Sequence, residues 1–412
     1  MSPVACSLVN FANVIFAALA FLSLTLALWQ WLAARRFPLH QRAADSSFAP
    51  AVTLLKPLKG CDATTADSLQ SWFNQKYAGA VQILFGVANA NDPVCKLVGE
   101  LIEKNPGRDI QLVICGEPFG TNGKISTLIQ LERSAKYELM LVSDADVRVP
   151  PDFLANAVVL LRDDKTALVN CFYRLANPVT TAMRWEAVAV NADFWSQVLQ
   201  AASLKPLDFA LGAAILVRRK ALTEIGGFKS LAHCLADDYQ LGHRMAQKGH
   251  RIALCPVVVE CWDAPMNWRD VWQHQLRWAR TIRVCQPLPY FFSILANATF
   301  WPLLWLISEL PRLSLKTAQI TDYGFFQTSG VGIGIPCGMI MAIAYLLIRI
   351  CLAQNLQRRF TPERKLVSPF GLVPVKDLLQ VALWFSAFLG NTVEWRGQRM
   401  KLRSDGTLMA EE

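Results

Sequence analysis

A long apolar run opens the chain. Residues 9–34 are interrupted only by Asn, Ser, Thr and Gln, and Arg35 and Arg36 follow directly. A run of this length can span a bilayer of about 30 Å. A cleaved signal peptide would carry positive charge before a shorter apolar region, so the pattern favours an uncleaved anchor. The two arginines then place the residues that follow in the cytoplasm.

Residues 50–285 alternate short apolar runs with stretches of helical spacing or composition. This alternation indicates an α/β domain with a mainly parallel sheet covered by helices. In such sheets ligands bind at the carboxyl ends of the strands. The predicted strands are Val52–Leu55, Val81–Val87, Ile110–Cys115 and Leu139–Val142, and the predicted helices are Ser68–Phe73, Val94–Asn105 and Lys124–Ser134.

Two further apolar segments, Pro289–Leu310 and Gly330–Ala353, are each long enough to span a membrane. The first contains Asn297, Pro302 and Glu309, so we expect it to be kinked or partly interfacial. The basic stretch that follows the second indicates a return to the cytoplasm.

The pattern divides the chain into four parts: an amino-terminal anchor (1–36), an α/β domain (37–285), a carboxy-terminal membrane region (286–395) and a basic cytoplasmic tail (396–412). Within the third part, Leu378–Leu389 is apolar but only about half as long as a span. We expect that segment to be re-entrant or interfacial.

Composition agrees with a membrane protein. Of the 412 residues 53% are hydrophobic and 18% are charged, whereas about 25% are charged in typical soluble domains. The net charge of +9 would suit nucleic acid, but the basic residues flank apolar segments, which fits the positive-inside rule better. We therefore expect a membrane partner and no nucleic acid. The flanking residues are Arg35, Arg36, Arg42, Arg349, Arg358, Arg359, Arg364, Lys365, Arg396, Arg399, Lys401 and Arg403.

The eleven cysteines form no CxxC pair and have no regular spacing. They predict free thiols in a reducing compartment. The five histidines show no ligand spacing near the cysteines, which argues against a zinc site.

The strongest chemical motif is a pair of acids, Asp144 and Asp146, directly after the apolar strand Leu139–Val142. Two carboxylates at this spacing can face one hard cation if the backbone turns there. A cation held in this way can clamp a diphosphate and neutralise a leaving group. The alternative is a solvated Asp-x-Asp turn.

A second motif places Asp237 and Asp238 near the start of a predicted helix. There they could simply complement the helix dipole, and Asp237 needs no other role. Alternatively, one carboxylate could act as a general base on an acceptor hydroxyl.

A third motif lies just before a membrane segment, where His274 precedes the pair Arg277-Trp278. Arg and Trp are ordinary anchors at a membrane interface, but this pair could brace an acceptor pocket and a diphosphate. Asp92 has a plain turn composition around it. Lys124 could reach a phosphate, although no Walker pattern surrounds it.

Together these motifs have the order and spacing typical of processive-type, family 2-like inverting glycosyltransferases with a GT-A fold. More narrowly, the chain resembles the ceramide glucosyltransferases and their bacterial relatives, including those of hopanoid lipid biosynthesis. The resemblance covers nearly the whole chain, and its most specific item is the KPLKG stretch. The matching segments are Leu54–Gly60, Asp92-Pro93, Asn122–Ile125, Asp144–Val149, Asp238-Tyr239 and Arg277-Trp278.

The resemblance implies a UDP-sugar donor, Mg²⁺ or Mn²⁺, and transfer of glucose or N-acetylglucosamine to a lipid such as ceramide or a hopanoid, with inversion to a β-glycoside. It also implies a multi-pass protein of a bacterial inner membrane with a cytoplasmic catalytic domain. By the resemblance, Asp238 would be the base, Asp144 and Asp146 would hold the metal, Asp92 would bind the uracil, Lys56 and Lys124 would belong to the donor site, and Arg277 and Trp278 would line the acceptor and diphosphate side.

The sequence departs from the family pattern at two places. His274 stands where the family signature usually has Gln or Arg, so this histidine becomes a candidate substitute. The eukaryotic ceramide enzymes carry a histidine in the segment near Asp193, whereas Asn191–Trp195 contains none. This difference therefore favours a hopanoid or another glycolipid acceptor over ceramide.

Two other hypotheses stand beside a lipid glycosyltransferase. A membrane polysaccharide synthase would use the same chemistry, but such enzymes usually need more spans than the three and a half expected here. The second hypothesis is a non-catalytic nucleotide-sugar-binding membrane protein. The chain carries every acidic residue of the family motifs, which argues against it.

Overall fold

The middle of the chain forms one mixed sheet of eight strands. The structure is a computed structural model that describes residues 3–45, 47–321, 336–361, 368–395 and 398–410. The strands of the sheet are β1 (Val52–Leu58), β2 (Val81–Val87), β3 (Asp109–Ile114), β4 (Leu139–Ser143), β5 (Val147–Arg148), β6 (Thr166–Leu175), β7 (Ala214–Arg218) and β8 (Arg251–Cys261).

Helices cover both faces of this sheet. They are α2 (Thr65–Phe73), α3 (Val94–Glu103), α4 (Gly123–Ser134), α5 (Phe153–Val158), α6 (Thr181–Val188), α7 (Trp195–Ala202), α8 (Arg219–Glu224), α9 (Asp237–Gln247) and α10 (Trp268–Cys285). A π-helical turn, Ala189–Phe194, joins α6 to α7.

The sheet has the order β3-β2-β1-β4-β7-β6-β8-β5. Among the described residues, four of its seven pairings are parallel and three, those of β7 with β4 and β6 and of β5 with β8, are antiparallel. The predicted α/β class with a mainly parallel sheet is therefore confirmed. The four predicted strands and three predicted helices are present, with ends that differ by a few residues.

The core lies on both sides of β1, which is buried along its whole length. Leu54 and Leu58 pack into the cluster on one face, and Leu55 packs into the cluster on the other. A central strand covered by helices on both faces requires apolar residues at nearly every position, and β1 meets this requirement except at Thr53 and Lys56, which are buried as well. The ten cysteines whose side chains the structure describes are free.

The apolar segments form α1 (Pro3–Arg36), α11 (Pro287–Phe292), α12 (Phe300–Thr321), α13 (Cys337–Phe360) and α14 (Leu372–Phe388). Within the described residues, Asn10–Arg36 and Cys337–Phe360 are long and apolar enough to cross a membrane, and a bent pair, Pro287–Ala296 with Phe300–Pro311, makes a third if it counts as one span. These helices indicate a membrane protein.

The bend of 46° in that pair agrees with the expected kink, and Asn297 lies at the break. The Asn297 Oδ1 accepts the backbone N–H groups of Thr299 at 3.2 Å and Phe300 at 2.8 Å, and so caps a new helix. Asparagine is a preferred cap because its side chain satisfies N–H groups that lack a partner within the helix.

The last span differs from the prediction. The helix continues seven residues past Ala353 to Phe360, and the predicted residues 330–335 lie outside the described chain. Arg349, grouped above with the flanking basic residues, is instead buried inside α13. Arg349 can be buried there because it pairs with the buried acids Asp193 and Asp377, which a reading of local polarity cannot detect.

Those partners make Arg349 the centre of a buried ionic cluster. Its guanidinium contacts Asp193 of the π-helical turn at 2.8 Å and Asp377 of α14 at 2.9 Å. Lys376 pairs with both of these aspartates, and Thr299 Oγ1 donates to Asp377 at 2.5 Å. The two cations, Arg349 and Lys376, balance the two aspartates, so the cluster has no net charge. It joins the α/β domain to α13, α14 and the segment before α12.

The carboxy-terminal residues form a second, antiparallel sheet of β9 (Thr392–Trp395), β10 (Gln398–Leu402) and β11 (Leu408–Ala410). Met400 and Leu402 are buried while Arg399 and Lys401 are exposed. This alternation is typical of a strand with one covered face, so part of the segment described above as a basic tail is folded.

Loss of Arg349 should destabilise the protein strongly. Arg349→Met leaves two buried aspartates with one lysine, and removing one partner of a buried pair costs about 3–5 kcal/mol. The matched control is Arg251→Met, whose ion pair with Asp163 is exposed and should contribute no more than about 1 kcal/mol. Denaturant titration of both variants in detergent measures the difference, and equal destabilisation would contradict this role of the cluster.

Candidate active site

The carboxyl ends of three strands meet at one edge of the main sheet. Strand β1 pairs in parallel with β2 on one side and β4 on the other, so Gly60, Asp92 and Asp144 follow their strands at the same edge. The loops that leave parallel strands lie close together at such an edge. The topology therefore brings KPLKG, Asp92 and the Asp-x-Asp pair to the same edge.

Lys124 connects the Asp-x-Asp turn to the start of α9. Its ammonium lies 2.6 Å from Asp144 Oδ1 and 3.4 Å from Asp237 Oδ2. Burial lowers the pKa of Lys124, but the carboxylates of Asp144, Asp237 and Asp238 outweigh it and hold the pKa well above its usual value. The site therefore keeps a permanent positive charge beside Asp144, whose side chain is 37% exposed.

Lys56 lies beneath the same turn. Its side chain is completely buried in β1, its Nζ donates to the backbone carbonyl of Asp144 at 2.6 Å, and it lies 5.2 Å from the centre of the Trp72 ring. Burial lowers its pKa to about 7, against the attraction of Asp146 and Asp144. Lys56, the first lysine of KPLKG, thus supports the backbone of the turn from inside the domain.

Asp146 has a carboxylate that could accept a cation. Burial and the nearby Asp144 and Asp263 raise the pKa of Asp146 to about 7, so its charge is poorly balanced. The part of the chain that the structure describes has no group of three His, Cys, Asp or Glu side chains arranged for a metal. Two carboxylates suffice for Mg²⁺ where bound phosphates complete the coordination, so Asp144 and Asp146 fit a metal bound together with a diphosphate.

Asp238 occupies the first turn of α9. Burial and the adjacent Asp237 raise its pKa to about 6, although Lys124 opposes this shift. Gly212 packs against the carboxylate so closely that a Cβ there would lie 2.7 Å from Asp238 Oδ2. No local pattern marks Gly212, because the preference for glycine there comes from a side chain 26 positions away in the sequence.

Asp92 acts as a local organiser at this edge. Both of its oxygens accept the Gly60 backbone N–H at 3.0 Å, and Oδ1 also accepts the Val94 N–H at 3.0 Å. The carboxylate therefore fixes the end of KPLKG to the start of α3. Its described contacts do not include Lys124, Asp144 or Asp238.

Asn122, two residues before Lys124, has a structural role that its motif did not predict. Its Oδ1 caps α4 by accepting the Ile125 N–H at 3.1 Å, and its Nδ2 donates to the Cys234 carbonyl at 2.8 Å. Asn122 therefore fixes the start of α4 relative to the segment that leads to Asp237. An Asn-Gly-Lys sequence before a helical pattern was the available signal of this cap.

The third motif lies on α10. Trp278 and His274 make packing and hydrogen-bond contacts, whereas Arg277 contributes a charge. Trp278 packs against Tyr173, Phe194 and His274, with ring centres 6.5, 6.3 and 4.6 Å away. His274 Nδ1 lies 2.7 Å from Oε1 of Glu186, a buried residue that sequence analysis missed. His274 thus anchors α10 to α6.

Arg277 faces the other motifs from α10. Burial lowers its pKa, against the attraction of Asp238. It lines a cavity of about 290 Å³ between α10 and β9. Within the described chain its guanidinium forms no ion pair, so it is available to an anionic group.

The chain shares sequence with ceramide glucosyltransferases of Caenorhabditis elegans. Ceramide glucosyltransferase 1 is 21% identical over 381 residues, which are 90% of this chain and 76% of that protein. Ceramide glucosyltransferase 3 is 27% identical over 220 residues, 53% of this chain and 48% of that protein. The chain thus spans about half the length of one of these relatives and three quarters of the other.

Among solved structures, the mannosyltransferase PcManGT of Pyrobaculum calidifontis, in complex with GDP-Man and Mn²⁺, is 19% identical. The similarity covers 90% of this chain and 98% of that one, with a TM-score of 0.49. The sequence profile of glycosyl transferase family 21 matches residues 14–408. Because that match covers nearly the whole chain and agrees with the predicted resemblance to ceramide glucosyltransferases, this protein belongs to glycosyl transferase family 21.

Proposed function

We propose that the chain transfers glucose or N-acetylglucosamine from a UDP-sugar to a hydroxyl of a membrane lipid, with inversion to a β-glycolipid. The observation that carries the proposal is the grouping of Asp144, Lys124 and Asp238 at one sheet edge, beside a helix that leads into the membrane region. Family membership supports sugar transfer, and the names of the two worm relatives support a lipid acceptor.

Asp238 serves as the base in this proposal. The lipid hydroxyl oxygen bonds to the anomeric carbon as the bond from that carbon to the UDP oxygen breaks, and the electron pair leaves with the diphosphate. The hydroxyl proton passes to the Asp238 carboxylate. A base whose pKa lies near 6 is largely ionised at neutral pH and still accepts a proton readily.

The leaving diphosphate requires positive charge. Lys124 supplies a fixed ammonium, and Arg277 supplies a guanidinium that forms no ion pair among the described residues. Asp144 and Asp146 would hold Mg²⁺ or Mn²⁺, which would neutralise the departing phosphates. Asp92 and the end of KPLKG, which it orders, lie on the uridine side of the same edge in this proposal.

The acceptor is ceramide or a hopanoid polyol in this proposal. Asp193, in the segment that carries a histidine in the eukaryotic ceramide enzymes, is buried and paired with Arg349 and Lys376. It is therefore committed to the ionic cluster, which favours an acceptor recognised differently from ceramide. Tethering at the bilayer surface raises the local lipid concentration, so a weak acceptor pocket can suffice.

A donor and acceptor screen tests the proposal. Purified protein in detergent receives UDP-glucose, UDP-galactose or UDP-N-acetylglucosamine with Mg²⁺ or Mn²⁺ and either ceramide or a hopanoid polyol. We expect UDP release and one glycolipid by mass spectrometry, lost with EDTA and in Asp238→Asn, whereas Asp164→Asn, a fully exposed control, keeps full activity. A polymeric product would favour a polysaccharide synthase, and no UDP release from any donor by folded protein would favour a non-catalytic binder.

The acidic limb of the pH profile should report Asp238. Its raised pKa means that the carboxylate is lost as the pH falls through about 6, so kcat/KM should rise up to that pH and then level off. Asp237→Asn removes a like charge from Asp238, so we expect the limb to move to lower pH. Initial rates from pH 4.5 to 8.5 measure both profiles, and an unmoved limb would assign it to another group.

Gly212→Ala should impair catalysis without unfolding the protein. The added Cβ would lie 2.7 Å from Asp238 Oδ2 and must displace the carboxylate, and a displacement of about 1 Å can cost about 100-fold in rate. Gly99→Ala is the control, because nothing lies within 4 Å of a Cβ there. Comparable kcat values for the two variants, with unchanged melting temperatures, would show that the position of Asp238 does not limit the reaction.

A further inference from the structure

The segment that leads to Asp237 and Asp238 is held from two directions. On one side, Asn122 donates its backbone N–H to the Ala232 carbonyl at 2.9 Å and its side-chain amide to the Cys234 carbonyl at 2.8 Å. This contact belongs to the donor side of the site, because Asn122 begins the helix that carries Lys124.

The other side is covered by the carboxy-terminal sheet. The Leu408 N–H donates to the His233 carbonyl at 2.7 Å, and the Leu235 N–H donates to the Gly406 carbonyl at 3.3 Å. Cys234 and Thr407 form an antiparallel bridge between these two bonds. Residues 233–235 therefore pair with residues 406–408 as a short extra strand.

Side-chain packing reinforces this pairing. Leu235 is buried in a small cluster with Val393, Met400, Leu402 and Leu408, which come from all three strands of the carboxy-terminal sheet. The cluster is separate from the clusters on the two faces of the main sheet. Leu235 is three residues before Asp238, so movement of this cluster would move the start of α9.

The same sheet is also fixed to α10. The Arg280 guanidinium donates to the Thr392 carbonyl, and the Arg283 guanidinium donates to Asn391 Oδ1. Arg280 is three residues after Arg277 on one helix. The sheet thus joins two parts of the site that are distant in sequence, the helix of Arg277 and the segment before Asp238.

We propose that the carboxy-terminal sheet is a positioning element of the transfer site. In this role, Leu402 and Leu408 hold Asp238 in a fixed position relative to Arg277. This inference rests on the proposed function, since it gives these leucines an effect on the same reaction. A loosened cluster would let the carboxylate move away from the acceptor hydroxyl.

Three full-length variants test the inference. Leu408→Ala and Leu402→Ala each remove a buried side chain from the cluster, and Met409→Ala changes the next residue, which is 40% exposed, on the same strand. Hydrogen exchange followed by mass spectrometry reports on residues 232–238, and initial rates give kcat and the KM for the UDP-sugar. Melting temperatures identify any variant that fails to fold.

We expect faster exchange over residues 232–238 in both leucine variants and a fall in kcat of about 10- to 100-fold. The KM for the donor should change less than kcat, because Asp144 and Asp146 follow β4 and lie outside the cluster; Met409→Ala should match the wild type. A general loss of structure would instead raise exchange throughout the main sheet.

Two results would overturn the inference. Unchanged exchange over residues 232–238 would show that the sheet does not hold this segment, whatever the activity. Faster exchange with an unchanged kcat would show that the segment needs no such support. The absence of turnover in the wild type, in contrast, would refute the proposed function itself and with it the catalytic part of the inference.

Discussion

The architecture of the site depends on one buried cation. Lys124 lies between Asp144 and Asp237 at 2.6 and 3.4 Å, and these three residues belong to the start of α4, the turn after β4 and the start of α9. A buried ammonium is stable only with opposite charge nearby, so the charge of Lys124 constrains where both acidic segments can lie. Asp146 and Asp238 are carried into position by the same two segments, and burial raises the pKa of each. One ion pair network thus assembles groups suited to bind a cation, a diphosphate and a proton.

A second network, in which the charges balance, links the α/β domain to the membrane region. Arg349 binds Asp193 of the α/β domain and Asp377 of α14, and Asp377 also accepts from Thr299 at the bend between the paired helices. Because buried charges tolerate little displacement without large cost, these contacts hold the α/β domain against α13, α14 and the bend that precedes α12. The proposed lipid acceptor would need this arrangement, since its hydroxyl must meet a water-soluble donor close to the bilayer surface.

The sequence predicted best what depends on local pattern. The strands β1 to β4 and their parallel edge follow from apolar runs between helical stretches, and the acidic pairs follow from their positions after a strand and before a helix. The antiparallel insertion of β7 was not predictable, because a buried run such as Ala214–Arg218 has the same pattern in either direction. The partnership of Arg349 and Asp193 spans 156 positions, and the glycine at 212 is required only because Asp238 folds against it. The alternation of Arg399, Met400, Lys401 and Leu402 did carry a strand signal, which the basic character of the tail obscured.

In the proposed function, Asp144 and Asp146 hold a divalent metal together with a bound diphosphate at the carboxyl edge of the sheet. Electron paramagnetic resonance of Mn²⁺ titrated into the protein with UDP tests it without any lipid acceptor. We predict a UDP-dependent signal from bound Mn²⁺ in the wild type and in Asp238→Asn, and its loss in both Asp144→Asn and Asp146→Asn. Retention of UDP-dependent Mn²⁺ binding in those two variants would show that the metal binds elsewhere and that these carboxylates do not hold it.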